Sequence, residues 1–357
     1  MKTFIDLFAG AGGLSYGFES AGLHPLLAIE INPHSVATYK HNSSNQNVLC
    51  EDIRRLDASK TLQAYGIEKN DLFALVGGPP CQGFSSSNQK TRNWNNPNNQ
   101  LYRDYLRFLK AANPQWFVLE NVPDFTSFHN GRVIRTIERY ARWLGYDTKR
   151  YLLNASDFGV PQRRMRFVLI GNRIDAELPE LYATCSTKVT TRMALDDLPS
   201  LENGNRVDLF NYKKKETNDF QKLMRKDTND DSQVCGGTIS RNKDYIIERY
   251  KHIPPGGNLS SVPPELTGTY KNVKAAHTNI YRRLIPNDVA YTIGNFRKNM
   301  MIHPWEDRGL SIREASRLQS FPDHYRFIGP IMSRQKQVGN AVPPLLAQAV
   351  ANSIVNT

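Results

Sequence analysis

The chain has 357 residues, of which 39% are hydrophobic and 22% charged, a composition that can bury a large core and excludes wholesale disorder. No apolar run approaches the roughly 18 to 20 residues that cross a bilayer, and the N-terminus, one lysine and then a strand-like run carrying Asp6, is unlike a secretory signal. A soluble, cytoplasmic protein with no membrane partner is expected. The 46 Lys and Arg against 34 Asp and Glu leave a formal net charge of +12, which favours a polyanionic partner such as nucleic acid.

Short apolar runs ending at turn or polar residues predict strands over Phe4–Phe8, Leu26–Glu30, Val48–Cys50, Leu72–Val76 and Trp116–Leu119. Helix-like stretches, such as Tyr102–Ala112 and Val133–Leu144, lie between them. This alternation reads as βαβ units building a parallel sheet covered on both faces, an α/β fold. A further strand is predicted over Arg166–Ile170. From about Pro179 to Pro304 the chain is rich in Lys, Asn, Gly and Pro, with Lys213-Lys214-Lys215 and His252–Asn258 reading as loops. Aromatic and aliphatic residues persist there, so a small irregular second domain is expected rather than a disordered insertion. Helical pattern returns at Ser311–Gln319 and Pro344–Val355. The predicted organisation is a sheet domain of residues 1–178 plus 335–357, with the second domain and a hinge at 179–334.

The turn after the first strand, Asp6-Leu7-Phe8-Ala9-Gly10-Ala11-Gly12-Gly13, has the glycines that let backbone approach a ligand at the carboxyl edge of a sheet. Glu30 ends the second predicted strand, where an acidic side chain commonly binds ribose hydroxyls, and Asp52 follows the third, where it can face an adenine amino group. A dinucleotide site is the competing reading. Its G-x-G-x-x-G pattern lacks the third glycine here, because Ser15 stands in that place.

The four cysteines, Cys50, Cys81, Cys185 and Cys235, form no C-x-x-C pair and have no histidine at zinc-finger spacing, so neither a metal site nor disulfides are expected. Three of them read as small buried hydrophobes. Cys81 differs, because Pro79 and Pro80 fix the backbone before it and hold the thiol after the fourth strand. Glu120 ends the fifth strand and can reach the same crevice. Gln162, Arg164 and Arg166 alternate on a strand-like run, which would point them to one face.

These groups fit one chemistry. Carbon 5 of cytosine is too weak a nucleophile to take a methyl group from a sulfonium directly. Addition of a thiolate at carbon 6 makes carbon 5 nucleophilic, and a carboxylic acid of raised pKa at ring nitrogen 3 favours that addition. An arginine on the ring carbonyl oxygen stabilises the developing charge. Loss of the carbon 5 proton then expels the thiol.

The segments DLFAGAGG at Asp6, GGPPCQGFS at Gly77, ENV at Glu120, QRRMRF at Gln162, REASRLQSFP at Arg313 and QVGNAVPP at Gln337 stand in the order found in the cytosine-5 DNA methyltransferase family, which the chain resembles over nearly its whole length. The resemblance implies a Rossmann-like sheet that binds S-adenosyl-L-methionine, releasing S-adenosyl-L-homocysteine, and a smaller target-recognition domain. It implies Cys81 as nucleophile, Glu120 at nitrogen 3, Arg166 on the carbonyl oxygen and Arg164 in support. Phe8, Gly10, Ala11, Gly12, Gly13, Leu14, Glu30, Asp52, Ile53, Pro80, Leu101, Asn340 and Val342 would line the cofactor pocket, and Gln82, Ser85, Ser87 and Gln162 would meet DNA. Asn340 precedes the last helix, which in this family packs beside the first strand. One departure is Asn96-Pro97-Asn98-Asn99, where the family often has D-P-R-N, so the ion pair of that motif is absent here.

A base inside a duplex cannot offer carbon 6 to a thiolate, so the target must be flipped out. The resemblance makes Asn88–Gln100 the lid over the flipped base. Sequence readout is expected between Pro179 and Met301, where Arg, Lys, Asn and Gln can read base edges, and Thr238-Ile239 resembles the family's threonine-containing recognition core. Double-stranded DNA is the expected partner of a monomer of restriction–modification type, with a cognate endonuclease as functional partner. A solitary methyltransferase is equally compatible. A tRNA cytosine-5 methyltransferase and a non-catalytic DNA-binding relative are the alternatives.

Overall fold

A computed structural model describes residues 1–80, 97–228, 233–268 and 280–357. They divide into two compact units. The first comprises residues 1–158, 165–184 and 342–357; the second comprises 159–164 and 185–341. The first boundary therefore falls at 184 rather than 178. Residues 159–164 and 335–341, expected with the sheet, group with the second unit.

The first unit is built on a seven-stranded sheet of β1 (Thr3–Leu7), β2 (His24–Glu30), β3 (Val48–Cys50), β4 (Ala74–Gly77), β5 (Trp116–Asn121), β6 (Asp147–Asn154) and β7 (Met165–Asn172), in the order β3-β2-β1-β4-β5-β7-β6. The first five strands pair in parallel. β7 inserts antiparallel between β5 and β6, so the sheet is mixed rather than wholly parallel. The alternation of side chains along β1 explains the two packed faces. Ile5 and Leu7 join the core made with α3 (Ala58–Ala64), α4 (Leu101–Ala112) and α5 (Arg132–Trp143). Phe4 and Asp6 turn to the face covered by α1 (Gly13–Ser20) and α2 (Pro33–Asn42), with Phe4 stacked 5.5 Å from Phe18 of α1.

The C-terminal helix Pro344–Val355 packs on α1 rather than on the first strand itself. A Cβ at Gly17 would lie 2.4 Å from Cβ of Ala347, so glycine is what allows the two helices to approach this closely. Lys2 Nζ donates to the carbonyl of Val355 at 2.6 Å, which ties the start of β1 to the end of that helix.

The second unit has little regular structure: α6 (Thr191–Leu195), the short hairpin of β8 (Leu209–Asn211) and β9 (Gln233–Cys235), α7 (Asp219–Arg225), α8 (Asp244–Lys251), α9 (Ile312–Leu318) and α10 (Ile331–Asn340). One apolar cluster centres on Tyr250, Tyr281 and Ile302. Beside further buried apolar residues, such as Phe321, Tyr325 and Phe327, buried arginines tie the unit's irregular segments together. Arg313 donates to the carbonyls of Cys235, Pro322 and Tyr325, and Arg283 to those of Ile253, Tyr250, His303 and Glu306. Ser311 and Glu314 form a capping box that fixes the start of α9. The expectation that arginines between Pro179 and Met301 read bases therefore fails for Arg225, Arg249 and Arg283, which are buried.

Among the described cysteines only Cys235 is a buried space-filler; Cys50 is exposed and Cys185 half-exposed. No described helix is long and apolar enough to cross a membrane.

Candidate active site

The strand register brings one set of sequence segments to a single edge of the sheet. Cys50 pairs with Glu30, Ile29 with Leu7, Leu7 with Gly77, and Gly77 with Leu119, so the carboxyl ends of β3, β2, β1, β4 and β5 stand side by side. β7 runs the other way, and its amino end reaches the same edge, with Phe167 opposite Asn121. That reversal is what brings Arg166 to Glu120.

The turn leaving β1 needs three residues of positive φ within five: Phe8 at 61°, Gly10 at 56° and Gly12 at 88°. Two glycines adopt this without steric cost. Phe8 does not, and a strained non-glycine of this kind typically marks a ligand-binding turn. Glu30 straps the turn to β2: its carboxylate accepts from the backbone N–H of Gly10 at 2.9 Å and of Asn32 at 2.7 Å. A Cβ at Gly10 would meet nothing within 4 Å, so the turn presents open backbone. Ala11 and Leu14 are buried beneath it, as are Ile53 and Leu101 in the adjoining core, while Phe8, Pro80 and Val342 are half-exposed. Asp52 caps the single 3-10 turn Ile53–Arg55 and pairs with Arg54 at 2.5 Å, whose guanidinium holds the carboxyl below the ordinary carboxylate range.

Glu120 and Arg166 form an ion pair, Nε to Oε1 at 2.7 Å, with both side chains only about a tenth exposed. Arg166 Nη1 also donates to the carbonyl of Met165 at 2.7 Å. Two residues that sequence reasoning missed complete this arrangement. A Cβ at Gly78 would lie 2.8 Å from Oε2 of Glu120, so glycine leaves room for the carboxylate. Asn121 is buried and donates to the carbonyl of Pro79 at 3.0 Å, which fastens the segment leading to Cys81 against β5. Both stand inside the GGPPCQGFS and ENV motifs, and their roles are visible only through contacts between strands.

Cys81, Gln82, Ser85, Ser87 and the greater part of Asn88–Gln100 lie outside the described residues; Pro97–Gln100 form a 3-10 turn that leads into α4. Gln162 and Arg164 do not share a strand with Arg166, since β7 starts at Met165. Both belong to the second unit. Arg164 is buried and donates to the carbonyls of Ile293, Gly339 and Ala341 at 2.9–3.0 Å. Gln162, expected at DNA, is fully buried: its amide donates to the carbonyl of Leu318 and to Gln319, and its oxygen accepts from the N–H of Ile293 at 2.7 Å. Its place in the fold is that of an internal tie. Thr238 and Ile239 are also buried, so this pair is no exposed recognition core. Asn340 is exposed at the end of α10, in the second unit.

Beneath the glycine turn, Tyr39 donates to Ser15 Oγ at 2.9 Å and Ser15 to Asp6 Oδ2 at 2.6 Å; the other oxygen of Asp6 has no hydrogen-bond partner. Burial raises the Asp6 carboxyl from 3.8 to about 7, against the lowering effect of Ser15. The unfolded chain therefore releases a proton near pH 4 that the folded chain keeps to about pH 7. Stability should fall as pH rises through this window, by at most about 4 kcal/mol from this group. Glu19, also raised to about 7 by burial, adds a slope of the same sign. Asp6→Asn is expected to flatten its share of the slope in urea melts between pH 5 and 8. An unchanged slope would refute the assignment.

A family model described as C-5 cytosine-specific DNA methylase matches residues 2–356. The chain is 34% identical over 355 residues to the Type II methyltransferase M1.HphI of Haemophilus parahaemolyticus, covering 99% of this chain and 86% of that protein. It is also 34% identical to the Type II methyltransferase M.DdeI of Desulfomicrobium norvegicum, covering 99% and 88%. Among solved structures, a DNA modification methyltransferase encoded within an E. coli prophage superimposes with a TM-score of 0.82 at 26% identity, covering 100% of this chain and 99% of the other.

Proposed function

The chain belongs to the C-5 cytosine-specific DNA methylase family and is a DNA (cytosine-5)-methyltransferase, and from that premise we infer that it methylates a flipped-out cytosine in a specific duplex sequence through a covalent adduct with Cys81, using S-adenosylmethionine. The observation that carries this reading is the Glu120–Arg166 pair, set at the same sheet edge as the strapped glycine turn.

The residues fit the cofactor: the turn offers open backbone at Gly10, and the carboxylate of Glu30 stands at the neighbouring strand end. Phe8, Gly10, Ala11, Gly12, Glu30 and Asp52 would hold it, with Val342 contributed by the C-terminal segment of the same unit. When bound, S-adenosylmethionine supplies an electrophilic methyl group on a positively charged sulfur.

The remaining steps belong to the chain. The Cys81 thiolate adds to carbon 6 and forms the C–S bond. Glu120 holds a proton at ring nitrogen 3, so that the electron pair displaced by the addition is taken up on a neutralised ring. Arg166, anchored to Glu120, places its guanidinium by the ring carbonyl. Once carbon 5 is methylated, loss of its proton returns the electron pair, breaks the C–S bond and releases the thiolate. The likeness to Type II methyltransferases supports a role as the modification partner of a restriction endonuclease, acting on double-stranded DNA.

A duplex carrying 5-fluorocytosine tests the covalent step, because fluorine at carbon 5 cannot leave as a proton does. With cofactor present, an adduct that survives denaturation is expected for the wild type and none for Cys81→Ser. Absence of the wild-type adduct would refute the mechanism. Labelled methyl transfer to tRNA but not to duplex DNA would refute the substrate.

A further inference from the structure

Gln162 and Arg164 converge with Gln319 on one residue of the second unit. Ile293 gives its N–H to Gln162, and its carbonyl accepts from Arg164 at 3.0 Å and from Gln319 at 3.3 Å. The next residue, Gly294, packs so tightly against α10 that a Cβ at Gly339 would lie 2.1 Å from its carbonyl oxygen. Beyond this clamp the chain forms a compact turn, residues 295–301, bonded within itself. Asn299 N donates to the carbonyl of Asn295, Met300 N to that of Arg297, and Met301 N to that of Phe296, while Asn295 Oδ1 accepts from Lys298 N. Phe296 and Met301 are buried and anchor the turn on either side.

Arg297 stands exposed on this turn, and its side chain is braced. Its Nε donates to Ser240 Oγ at 3.1 Å, and the same oxygen accepts from Nε2 of the buried Gln335 at 2.9 Å. An exposed arginine held in this way has lost much of the rotamer freedom that it would otherwise give up on binding. Its two terminal nitrogens, with four N–H donors, make no hydrogen bond or ion pair among the described residues. Arg241, Lys243 and Lys298, on the same two segments, are also exposed and without an ion pair there. A rigid, uncompensated guanidinium fork amid further cations suits a ligand that is both anionic and able to accept two parallel hydrogen bonds. In duplex DNA, O6 and N7 of guanine in the major groove present that pair of acceptors.

We propose that Arg297, braced by Ser240 and Gln335, is a specificity-determining residue that reads a guanine of the target duplex through its two terminal nitrogens. This rests on the reading of the chain as a duplex-DNA methyltransferase. A phosphate contact needs no such bracing, whereas bidentate readout depends on the fork being aimed.

The test uses the full-length enzyme expressed in a methylation-free host, with bisulfite sequencing of host DNA to give the methylated context for wild type, Arg297→Ala, Arg297→Lys and Ser240→Ala. The expected result is a wild-type context with an invariant guanine. In Arg297→Ala discrimination at that position falls about ten- to a hundred-fold while the other positions hold. Arg297→Lys relaxes it as well, because lysine keeps the charge without the fork, and Ser240→Ala relaxes it less. In purified assays, 7-deazaguanine at that position should slow the wild type and leave Arg297→Ala unaffected. An unchanged context, with methylation lowered equally at all sites and a shallower salt dependence, would identify a phosphate contact and overturn the proposal. No duplex methylation by the wild type would overturn the functional reading and this proposal together; failure in the variants' context alone overturns only the latter.

Discussion

Under the proposed mechanism Glu120→Gln is expected to slow methyl transfer by about two to four orders of magnitude, the range associated with losing a positioned general acid. Glutamine keeps the volume of the side chain and can still accept a hydrogen bond from Arg166, so the packing beside Gly78 is preserved. It cannot hold a proton for ring nitrogen 3, and it removes the charge that Arg166 now pairs at 2.7 Å. Breaking a fully buried pair by neutralising one partner costs about 3–5 kcal/mol. The cost should be smaller here, because both side chains keep some exposure and Arg166 retains its bond to the carbonyl of Met165.

Single-turnover transfer to a defined duplex, measured well below the melting temperature of each variant, separates the chemical loss from the structural one. Cofactor affinity by titration should stay near wild type, since Glu30 and the glycine turn are untouched. Arg166→Ala should also be slow, and the double variant should be little worse than Glu120→Gln, because the two residues act as a unit. Additive losses would mean that Arg166 acts independently of the carboxylate it anchors.

How much of this was legible in the sequence depended on how local its cause was. β1 to β5 could be read because each is a short apolar run stopped by a turn residue, and the glycine turn, Glu30 and Glu120 follow from where those runs stop. β6, Asp147–Asn154, carried no such signal: it is an edge strand whose first half is polar, with Asp147 and Arg150 exposed and Lys149 half-exposed. The alternation of Gln162, Arg164 and Arg166 suggested one face of one strand. The chain instead enters β7 only at Met165, and the first two side chains turn into the second unit. The sequence motifs correctly marked Gln162 as special, but motif and composition alike are silent on whether a polar side chain meets DNA or a buried carbonyl 156 residues away. The same holds for Arg225, Arg313 and Arg317 of the second unit, each of which reaches a carboxylate or carbonyl far along the chain, at Asp197 or Cys235.

Arg317 is the extreme case, and Arg317→Met should destabilise the second unit by about 3–5 kcal/mol or more, enough to unfold a domain of ordinary stability. Its guanidinium is wholly buried between two wholly buried carboxylates: Nη1 lies 2.5 Å from Asp197, and Nε and Nη2 lie 2.8 and 2.6 Å from Asp323. Burial alone would push Asp323 up, yet the Arg317 charge and hydrogen bonds hold it below its ordinary value. Stability from that depressed carboxyl is present above the unfolded pKa and is lost as pH falls through the folded one. Methionine fills the space but removes the counter-charge. Asp197 keeps Arg225, whereas Asp323 keeps only Tyr212 and a more distant Arg313 at 3.5 Å. Its carboxyl should then rise, and its contribution should reverse sign, favouring the folded state at low pH and weakening it as pH increases. Urea melts at pH 5 and pH 8 check both points, followed by tryptophan fluorescence, since Trp305 is the sole tryptophan of the second unit. Arg317→Lys should recover little, because an ammonium cannot span both carboxylates and the Ala194 carbonyl together. A methionine variant within about 1 kcal/mol of wild type at both pH values would show that this buried network fixes the arrangement of the segments without stabilising the unit.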